Sequence, residues 1–442
     1  LQCFKYMVSE DGLHPSTMTY ATILNACSSH ETLEEGKCIH DHIIKIGYDS
    51  YEFVISSLLT MYGKCGVVND AVWLFDNNIR LATITWNSMI SVYVRQGHSN
   101  EALQLFQEML QQCIEPNSVT IITILDACTE VSAFKEGKLI HNCMLDMGIN
   151  SKAAWNALLN FYGHCGSPSD AINAFDKMPH KDVVSWTTLI IGYVEQGYGE
   201  EAIECFERMQ LDDVSPNVVT FLCALKACTN VGAIDKGQNL HAEIERRGLL
   251  QIDIVGNALL NMYAQCASFT KAHQMFSKLH IRDVVSWTVM MTGYAKLGKS
   301  KEVFHIFDEM LGQGIKPNMI TFIIVLNACS RRGLSSASLT YFEAMTKHYG
   351  IIPIIEHHGC MIDLLGRLGE LEKLAEAIER MPISPNLVLW QTVLTASQKW
   401  GKLNFGEWAF EHTLCLDDNY FDAYAKSKRT RVHLSHRMGG FS

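Results

Sequence analysis

Along the stretch 183–217, apolar residues recur with the spacing of two successive α-helices. A first stripe follows the helical spacing i, i+3, i+4 and i+7 and consists of Trp186, Leu189, Ile190 and Tyr193. The pattern is interrupted at Gly197, and a second stripe then contains Ala202, Ile203, Phe206 and Met209. Pro216 predicts the end of the second helix, because proline cannot continue one. The stretch is therefore predicted to form a pair of antiparallel helices.

The helix-pair pattern repeats at a fixed distance along the chain. The pentapeptide DVVSW begins at Asp182 and again at Asp283, 101 positions later, and a weaker copy places Trp86 100 positions before Trp186. The tripeptides NAC, DAC, KAC and NAC keep the same period and end at Cys27, Cys128, Cys228 and Cys329. Each period of 100 or 101 residues divides into three similar units of 31 to 36 residues. The chain is therefore predicted to be a tandem array.

A single helix pair encloses too little interior to be stable alone, so neighbouring pairs must stack to bury their apolar faces. We expect an all-α fold, an α-solenoid or superhelix of tandem antiparallel helix-turn-helix repeats of about 31–36 residues with a continuous concave surface. No strand-like alternation and no glycine-rich phosphate loop competes with this interpretation. Although 442 residues would ordinarily suggest about three domains, the periodicity favours one array.

Composition limits the kinds of partner. The chain is 48% apolar, but no apolar run reaches the roughly 18 residues of a membrane-spanning helix. Its fifteen cysteines lie within the apolar helical pattern and include no C-x-x-C pair, which favours reduced, buried thiols over disulfides or structural zinc. The formal charge is −11, and −16 without the last 18 residues, which hold five Lys or Arg and no acid. Strong nonspecific attraction to nucleic acid is therefore not expected.

The unit VVSWTTLIIGYVEQGYGEEAIECFERMQ, followed five residues later by PN, resembles the pentatricopeptide repeat (PPR) family. The order of unit lengths resembles the plant PLS subclass, in which three repeat lengths alternate. The resemblance implies a partial repeat at 1–16 and a tandem array over 17–386, followed by an E-type extension motif at 387–424 and a divergent basic tail at 425–442. The implied repeats are 17–51, 52–82, 83–117, 118–151, 152–182, 183–217, 218–252, 253–283, 284–318, 319–354 and 355–386. Because the chain starts at Leu1 inside a unit, we expect a fragment, with any targeting peptide upstream.

In this family a base is specified by the fifth residue of a repeat together with its last residue, and flanking bases are sandwiched by apolar second residues. The resemblance implies five base-recognition pairs: Asn87 with Asn117, Asn156 with Asp182, Thr187 with Asn217, Asn257 with Asp283, and Thr288 with Asn318. It implies sandwich residues at Ile84, Val184, Ile254 and Val285. An Asp acceptor suits the N3–H of uracil and an Asn amide donor suits N1 of adenine. The pairs are therefore expected to read a pyrimidine, U, A, U and A.

Each of these residues also has an ordinary structural explanation. Asn, Asp and Thr are common in turns and at helix starts, so a single position would be interpreted as structural, whereas five pairs in one frame favour recognition. Trp186 and Trp287, next to two of the pairs, are expected in the core.

Several repeats depart from the pairing rule. The long repeats have apolar fifth residues that cannot hydrogen-bond a base through their side chains, namely Ala21, Ile122, Leu222 and Ile323. Two further combinations, Ser56 with Ala82 and Gly359 with Asn386, are not among the usual pairs. The expected footprint from 5′ to 3′ is pyrimidine, any, U, A, any, U, A, any.

The resemblance to this subclass raises the question of an enzyme, because its members resemble factors that choose cytidines for conversion to uridine. That chemistry requires zinc in an H-x-E and P-C-x-x-C signature. One H-x-E occurs, His241-Ala242-Glu243, and no P-C-x-x-C follows it. His40 and His141 share its phase in sister repeats, which favours structural or solvent-facing histidines. We expect no catalysis, no metal and no cofactor in this chain.

The resemblance implies binding of single-stranded RNA by one-base-per-repeat readout. It favours a factor of the mitochondrion or chloroplast that specifies C-to-U editing sites, with a DYW-type deaminase and multiple organellar RNA editing factor proteins supplied in trans. No membrane and no small-molecule substrate are expected. Two alternatives stay open: an organellar RNA reader in splicing, stability or translation, and a helical scaffold that binds proteins.

Overall fold

The computed structural model describes residues 15–29, 32–78 and 82–416, and within these ranges it contains 24 α-helices, one short 3₁₀ helix and no strand. The chain divides into two units, one ending at Val231 and the other beginning at Gly232. The first unit contains α1 Thr17–Ala26, α2 Leu33–Lys45, α3 Glu52–Lys64, α4 Val68–Asp76, α5 Thr83–Arg95, α6 Ser99–Gln111, α7 Ser118–Glu130, α8 Phe134–Asp146, α9 Lys152–His164, α10 Pro168–Lys177, α11 Val183–Glu195, α12 Gly199–Leu211 and α13 Val218–Val231. The second contains α14 Ile234–Arg246, α15 Asp253–Gln265, α16 Phe269–Lys278, α17 Val284–Lys296, α18 Ser300–Gly312, α19 Met319–Arg332, α20 Ser335–Lys347, α21 Ile355–Leu368, α22 Leu371–Glu379, α23 Leu387–Trp400 and α24 Leu403–Leu416, with the 3₁₀ helix at Leu249–Gln251.

Helices alternate between two roles in each unit. The odd-numbered helices of the first unit pack side by side in chain order, α1 on α3 and so on to α11 on α13, and each of the first six also packs on the even-numbered helix that follows it. In the second unit α15, α17, α19, α21 and α23 form the corresponding row. Each described unit is thus a stack of helix hairpins in which a hairpin contacts mainly its neighbours, which is the architecture of an α-solenoid. The predicted all-α fold is confirmed.

The apolar stripes predicted for 183–217 form the interior of the first unit. All eight residues are buried, from fully buried Trp186 to Ile203 at 9% exposure. Gly197 has φ +82° and forms the turn between α11 and α12, a conformation that favours glycine. Trp186 lies there, centred 4.4 Å from the ring of Phe175 on the preceding hairpin, and Trp287 is likewise buried in the second unit, so both tryptophans expected in the core are buried.

The predicted end of the second helix was wrong by several residues. Helix α12 ends at Leu211, well before Pro216, because Asp213 takes a left-handed conformation with φ 55°. A left-handed residue after a helix satisfies its last carbonyls and terminates it. Pro216 lies beyond this point, in the connection to α13, where the chain is no longer helical.

The predicted state of the cysteines agrees with the structure. The cysteines within the described residues are free thiols, and about half of them are buried. Burial raises the pKa of the Cys128 thiol to about 12, which keeps it protonated and unreactive at neutral pH. Among the described helices, none combines the length and the apolar character needed to cross a membrane.

Candidate functional site

The last residue of each recognition pair lies at the start of the next odd-numbered helix. Asn117, Asp182, Asp283 and Asn318 are N-caps of α7, α11, α17 and α19, and Asn217 directly precedes α13. In each case the side-chain Oδ1 accepts the backbone N–H of the residue three positions on, at 2.9–3.1 Å. The first N–H groups of a helix have no partner within the helix, and Asn or Asp supplies one.

Capping decides which atom of the last residue is left for a ligand. With Oδ1 bound to the helix, Asn117, Asn217 and Asn318 retain the Nδ2 amide as a donor, whereas Asp182 and Asp283 retain Oδ2 as an acceptor. Oδ2 of Asp182 lies 3.7 Å from Nζ of Lys152, an exposed ion pair. The same structural position therefore offers opposite hydrogen-bonding groups in the two classes of pair.

The pair Asn87 and Asn117 is in direct contact. Nδ2 of Asn87 donates to Oδ1 of Asn117 at 3.1 Å, although the residues are 30 positions apart. The hydroxyl of Thr120 donates to Oδ1 of Asn87 at 2.6 Å and also lies 3.3 Å from Oδ1 of Asn117. Helix packing thus joins the fifth residue, the last residue and the third residue of the next repeat.

The two Thr and Asn pairs are joined through a shared hydroxyl. Oγ1 of Thr220 lies 2.7 Å from Oγ1 of Thr187 and 3.0 Å from Oδ1 of Asn217. In the second unit Oγ1 of Thr321 lies 3.4 Å from that of Thr288 and 2.9 Å from Oδ1 of Asn318. Thr220 and Thr321 are fully buried, so both sets are shielded from water.

The two Asn and Asp pairs lack this shared hydroxyl bond. Serine replaces threonine at the third position, and Oγ of Ser185 donates to the backbone oxygen of Asp182 at 2.9 Å. Oδ1 of Asn156 is buried without a hydrogen-bond partner among the described residues, and the same holds for Oδ1 of Asn257. Each of these two amides therefore has an unfilled acceptor, and burying an unpaired carbonyl oxygen costs free energy.

The fifth residues of the pairs are buried or half-buried. Asn87, Thr187 and Thr288 are only 7–8% exposed, and Asn156 and Asn257 are half-buried. The polar atoms of the first three are recessed because the hydroxyl bonds draw them towards the next hairpin.

The second residues of the repeats are apolar and exposed. Ile84, Val184, Ile254 and Val285 are 44–59% exposed, which is unusual for side chains of this kind. Sequence reasoning did not single out equivalent exposed residues in other repeats, although they share the second position: Met18, Phe53, Val119, Val219, Ile320 and Val388. An exposed apolar residue at one repeat position offers surface on which a flat apolar ligand can stack.

One groove brings the predicted elements of the site together. A volume of about 410 Å³ is lined by the apolar side chains of Ile84 and Val119 and by the amides of Asn87 and Asn117. Arg95 also lines it and adds a cation. The groove therefore combines apolar surface on which a flat ring can stack with amides that can meet its polar edge.

The departing repeats have no comparable polar pair. Ile122, Leu222 and Ile323 are half-buried and Ala21 is buried, each without a side-chain donor or acceptor. Ser56 is hydrogen-bonded instead to Ser88 of the next hairpin at 2.7 Å.

Two further positions next to the departing repeats differ from those at the recognition pairs. Thr85 is the third residue of 83–117, the repeat that follows Ser56 and Ala82, and its Oγ1 is buried with no hydrogen-bond partner in the described part of the chain. Oδ1 of Asn386 caps α23 by accepting the backbone N–H of Leu389 at 3.0 Å, but the fifth residue of its repeat is Gly359, which has no side chain to pair with it.

The H-x-E triplet does not form a metal centre. Nδ1 of His241 is hydrogen-bonded to the hydroxyl of Tyr263 at 2.8 Å, and Glu243 instead accepts hydrogen bonds from Arg246 and Arg247, which lower the pKa of its carboxyl. His40 and His141 make the same 2.8 Å contact with Tyr62 and Tyr162. No cluster of three metal-ligating side chains occurs within the ranges that the structure describes. The three histidines are structural.

Comparisons with known proteins bear on the repeats. Residues 82–130, 181–230 and 282–331 match the PPR repeat family, and 153–183 match the PPR repeat. A pentatricopeptide repeat-containing protein of Arabidopsis thaliana is 36% identical over 398 residues, covering 90% of this chain and 58% of the relative. Another from the same plant, named mitochondrial, is 33% identical and covers 93% of this chain and 60% of the relative.

The chain spans about three-fifths of the length of the first curated relatives, between 57% and 61%. Among solved structures, the pentatricopeptide repeat protein PPR10 in complex with an 18-nucleotide psaJ RNA element matches with a TM-score of 0.50 and 18% identity, covering 92% of this chain and 70% of that one. At that identity the likeness concerns the fold.

Proposed function

This chain is a pentatricopeptide repeat protein, and from that premise we propose that it binds single-stranded RNA by reading one base per repeat. The observation that supports this most directly is the groove that is lined by two exposed apolar side chains, Ile84 and Val119, and by the amides of Asn87 and Asn117. Proteins that read unpaired bases stack the ring on a side chain and hydrogen-bond its Watson–Crick edge. The groove supplies both kinds of contact.

The helix caps support a definite assignment of bases. The free Nδ2 of Asn217 or Asn318 is a donor suited to N1 of adenine, and the free Oδ2 of Asp182 or Asp283 is an acceptor suited to N3–H of uracil. The proposed footprint from 5′ to 3′ is pyrimidine, any, U, A, any, U, A, any. The half-buried apolar fifth residues of the long repeats leave their bases unread.

We further propose that the protein is an organellar RNA-processing factor of the PLS subclass that specifies C-to-U editing sites, with a DYW-type deaminase and multiple organellar RNA editing factor proteins acting in trans. The alternation of repeat lengths and the segment resembling an E-type motif from residue 387 support this role. Two relatives named mitochondrial support an organelle. The part of the segment after 416 lies outside the described residues.

The test is an equilibrium titration at physiological salt with two RNAs. One carries pyrimidine-N-U-A-N-U-A-N, and the other has its U and A positions exchanged. We expect a preference of more than tenfold for the first RNA, which corresponds to about 1.4 kcal/mol. Equal, weak binding that disappears as salt is added would refute base reading, because it would leave only phosphate attraction.

A variant connects the preference to one repeat. Thr187→Asn places an amide at the fifth position of 183–217, where Asn217 is retained. We expect the base facing that repeat to change from A towards a pyrimidine, as at the naturally occurring pair of Asn87 and Asn117. An unchanged preference for A at this base would show that the fifth residue does not read it.

A further inference from the structure

The third residue of each odd-numbered helix that follows a recognition pair bears a fully buried hydroxyl. It belongs to a threonine after three of the pairs and to a serine after the other two. We call the Oγ1 groups of Thr120, Thr220 and Thr321 the bridging hydroxyls, because each hydrogen-bonds side chains of the recognition pair. This third position is distinct from the fifth and the last positions, which are the two proposed to pair with a base.

The bridging hydroxyl of Thr120 holds the amide of Asn87 in place. Thr120 donates to Oδ1 of Asn87 at 2.6 Å, and one N–H of the same amide donates to Asn117 at 3.1 Å. Asn87 then retains one N–H, and Asn117 retains its Nδ2 amide. These remaining donors match the O2 and N3 acceptors of a cytosine or the carbonyl oxygens of a uracil.

The serine class leaves the fifth residue in a different state. The proton of Ser185 is directed to the backbone oxygen of Asp182, and Oδ1 of Asn156 remains a buried acceptor without a partner among the described residues. In the second unit Ser286 donates to the oxygen of Asp283 and Oδ1 of Asn257 is likewise unfilled. Asparagine at the fifth position is thus held by a buried hydroxyl in the threonine class and not in the serine class.

The same logic applies to a threonine at the fifth position. The hydroxyl of Thr187 lies 2.6 Å from the carbonyl oxygen of Val183, to which it donates. Thr220 lies within hydrogen-bond distance of both Thr187, at 2.7 Å, and Oδ1 of Asn217, at 3.0 Å, so its proton stays within the recognition pair. Thr187 keeps a lone pair and no proton for a base, which suits the N6–H of adenine and not a carbonyl oxygen.

Resting on the proposed RNA binding, we propose that the third residue of the following repeat is a positioning residue for base recognition: the buried hydroxyl of a threonine there holds the fifth side chain so that its remaining polar group is directed to the base. A base would then be selected by three side chains, of which the third never touches it. Threonine directs its proton into the recognition pair and serine directs it to the backbone.

The experiment compares Thr120→Val with a matched control in the full chain. Valine keeps the branched shape of threonine and removes the hydroxyl, and Thr120→Ser restores a hydroxyl. The control is Thr85→Val, the same change at the same repeat position, where the hydroxyl has no partner in the described part of the chain. Each variant is titrated with four RNAs that differ only in the base facing 83–117, and its thermal midpoint is measured.

We expect Thr120→Val to lower the pyrimidine preference at that one base by about tenfold, the effect of losing one buried hydrogen bond, with U and A preferences elsewhere unchanged. Thr120→Ser should lower the preference as well, because serine at this position donates to the backbone oxygen, and Thr85→Val should change none. An unaltered preference in Thr120→Val would overturn the inference, as would an equal loss of affinity for all four RNAs with a lower midpoint. If the wild-type chain shows no base preference at any position, the proposed function itself falls.

Discussion

Asn217 has two proposed roles, to cap α13 and to donate a hydrogen bond to a base. Replacing it separates them, because aspartate can perform the first and not the second. Oδ1 of Asn217 caps α13 by accepting Thr220 N–H at 2.9 Å, and a carboxylate oxygen accepts that bond equally well. Asn217→Asp should therefore keep the cap and gain about 0.3–1 kcal/mol from a negative charge at a helix N-terminus. Asn217→Ala removes the cap and should cost about 1 kcal/mol.

The effects of the two variants on base preference should not follow their effects on stability. In Asn217→Asp the donor Nδ2 becomes an acceptor, so N1 of adenine would face an oxygen lone pair. An unsatisfied, opposed polar contact costs about 1–3 kcal/mol, which corresponds to a roughly tenfold to hundredfold loss of affinity for A at this position. Bases with an N–H at that edge, guanine and uracil, should be favoured instead. Asn217→Ala should weaken the discrimination without reversing it.

Two assays measure the roles independently. Hydrogen exchange at the Thr220 amide reports the cap and should become faster in Asn217→Ala only. Fluorescence anisotropy with RNAs that vary the base facing 183–217 reports the reading. If Asn217→Asp kept its preference for A, or if base preference simply followed amide protection in both variants, the residue would be a helix cap and not a reader.

Other features of the structure give two further predictions. Burial lowers the pKa of His141 below its ordinary value. The unfolded chain therefore takes up the proton first, and the stability of the fold should decrease as the pH falls below about 6.5. Urea midpoints at pH 7.5 and 5.5 should differ less in His141→Gln than in the wild type. Gly163→Ala should destabilise by about 1–3 kcal/mol because the added Cβ would lie 2.8 Å from Cα of Gly192, whereas Gly312→Ala, which meets no atom within 4 Å, should be neutral or stabilising; equal urea midpoints for the two variants would contradict this reason.

The repeat pattern was enough to predict the fold, because each helix pair is specified by residues that are neighbours in sequence. The apolar stripes at 183–217 are buried where the spacing places them, and the turn at Gly197 lies between the two helices. The end of α12 was missed because Asp213 adopts a left-handed conformation, which glycine would have signalled and aspartate does not.

The sequence was enough to propose positions for the candidate site but not to describe their hydrogen bonds. The resemblance points to positions such as Asn87 and Asn117, and both line the groove. Which of their atoms remain available depends on Thr120, a residue to which no motif assigned a role. The exposed apolar residues of the other repeats share the second position with Ile84, and that position was the signal that could have found them.

The sequence by itself was enough to predict the helices and their pairing, since apolar spacing and turn residues act over a few positions. Only the tertiary structure decided the state of the polar groups. The contacts of Thr120 with Asn87 and of Thr220 with Thr187 join residues 33 positions apart. Ser56 is bonded instead to Ser88, and Oγ1 of Thr85 has no partner within the described residues. Hydrogen bonds are directional and short, so they depend on how neighbouring hairpins pack, which no local pattern specifies.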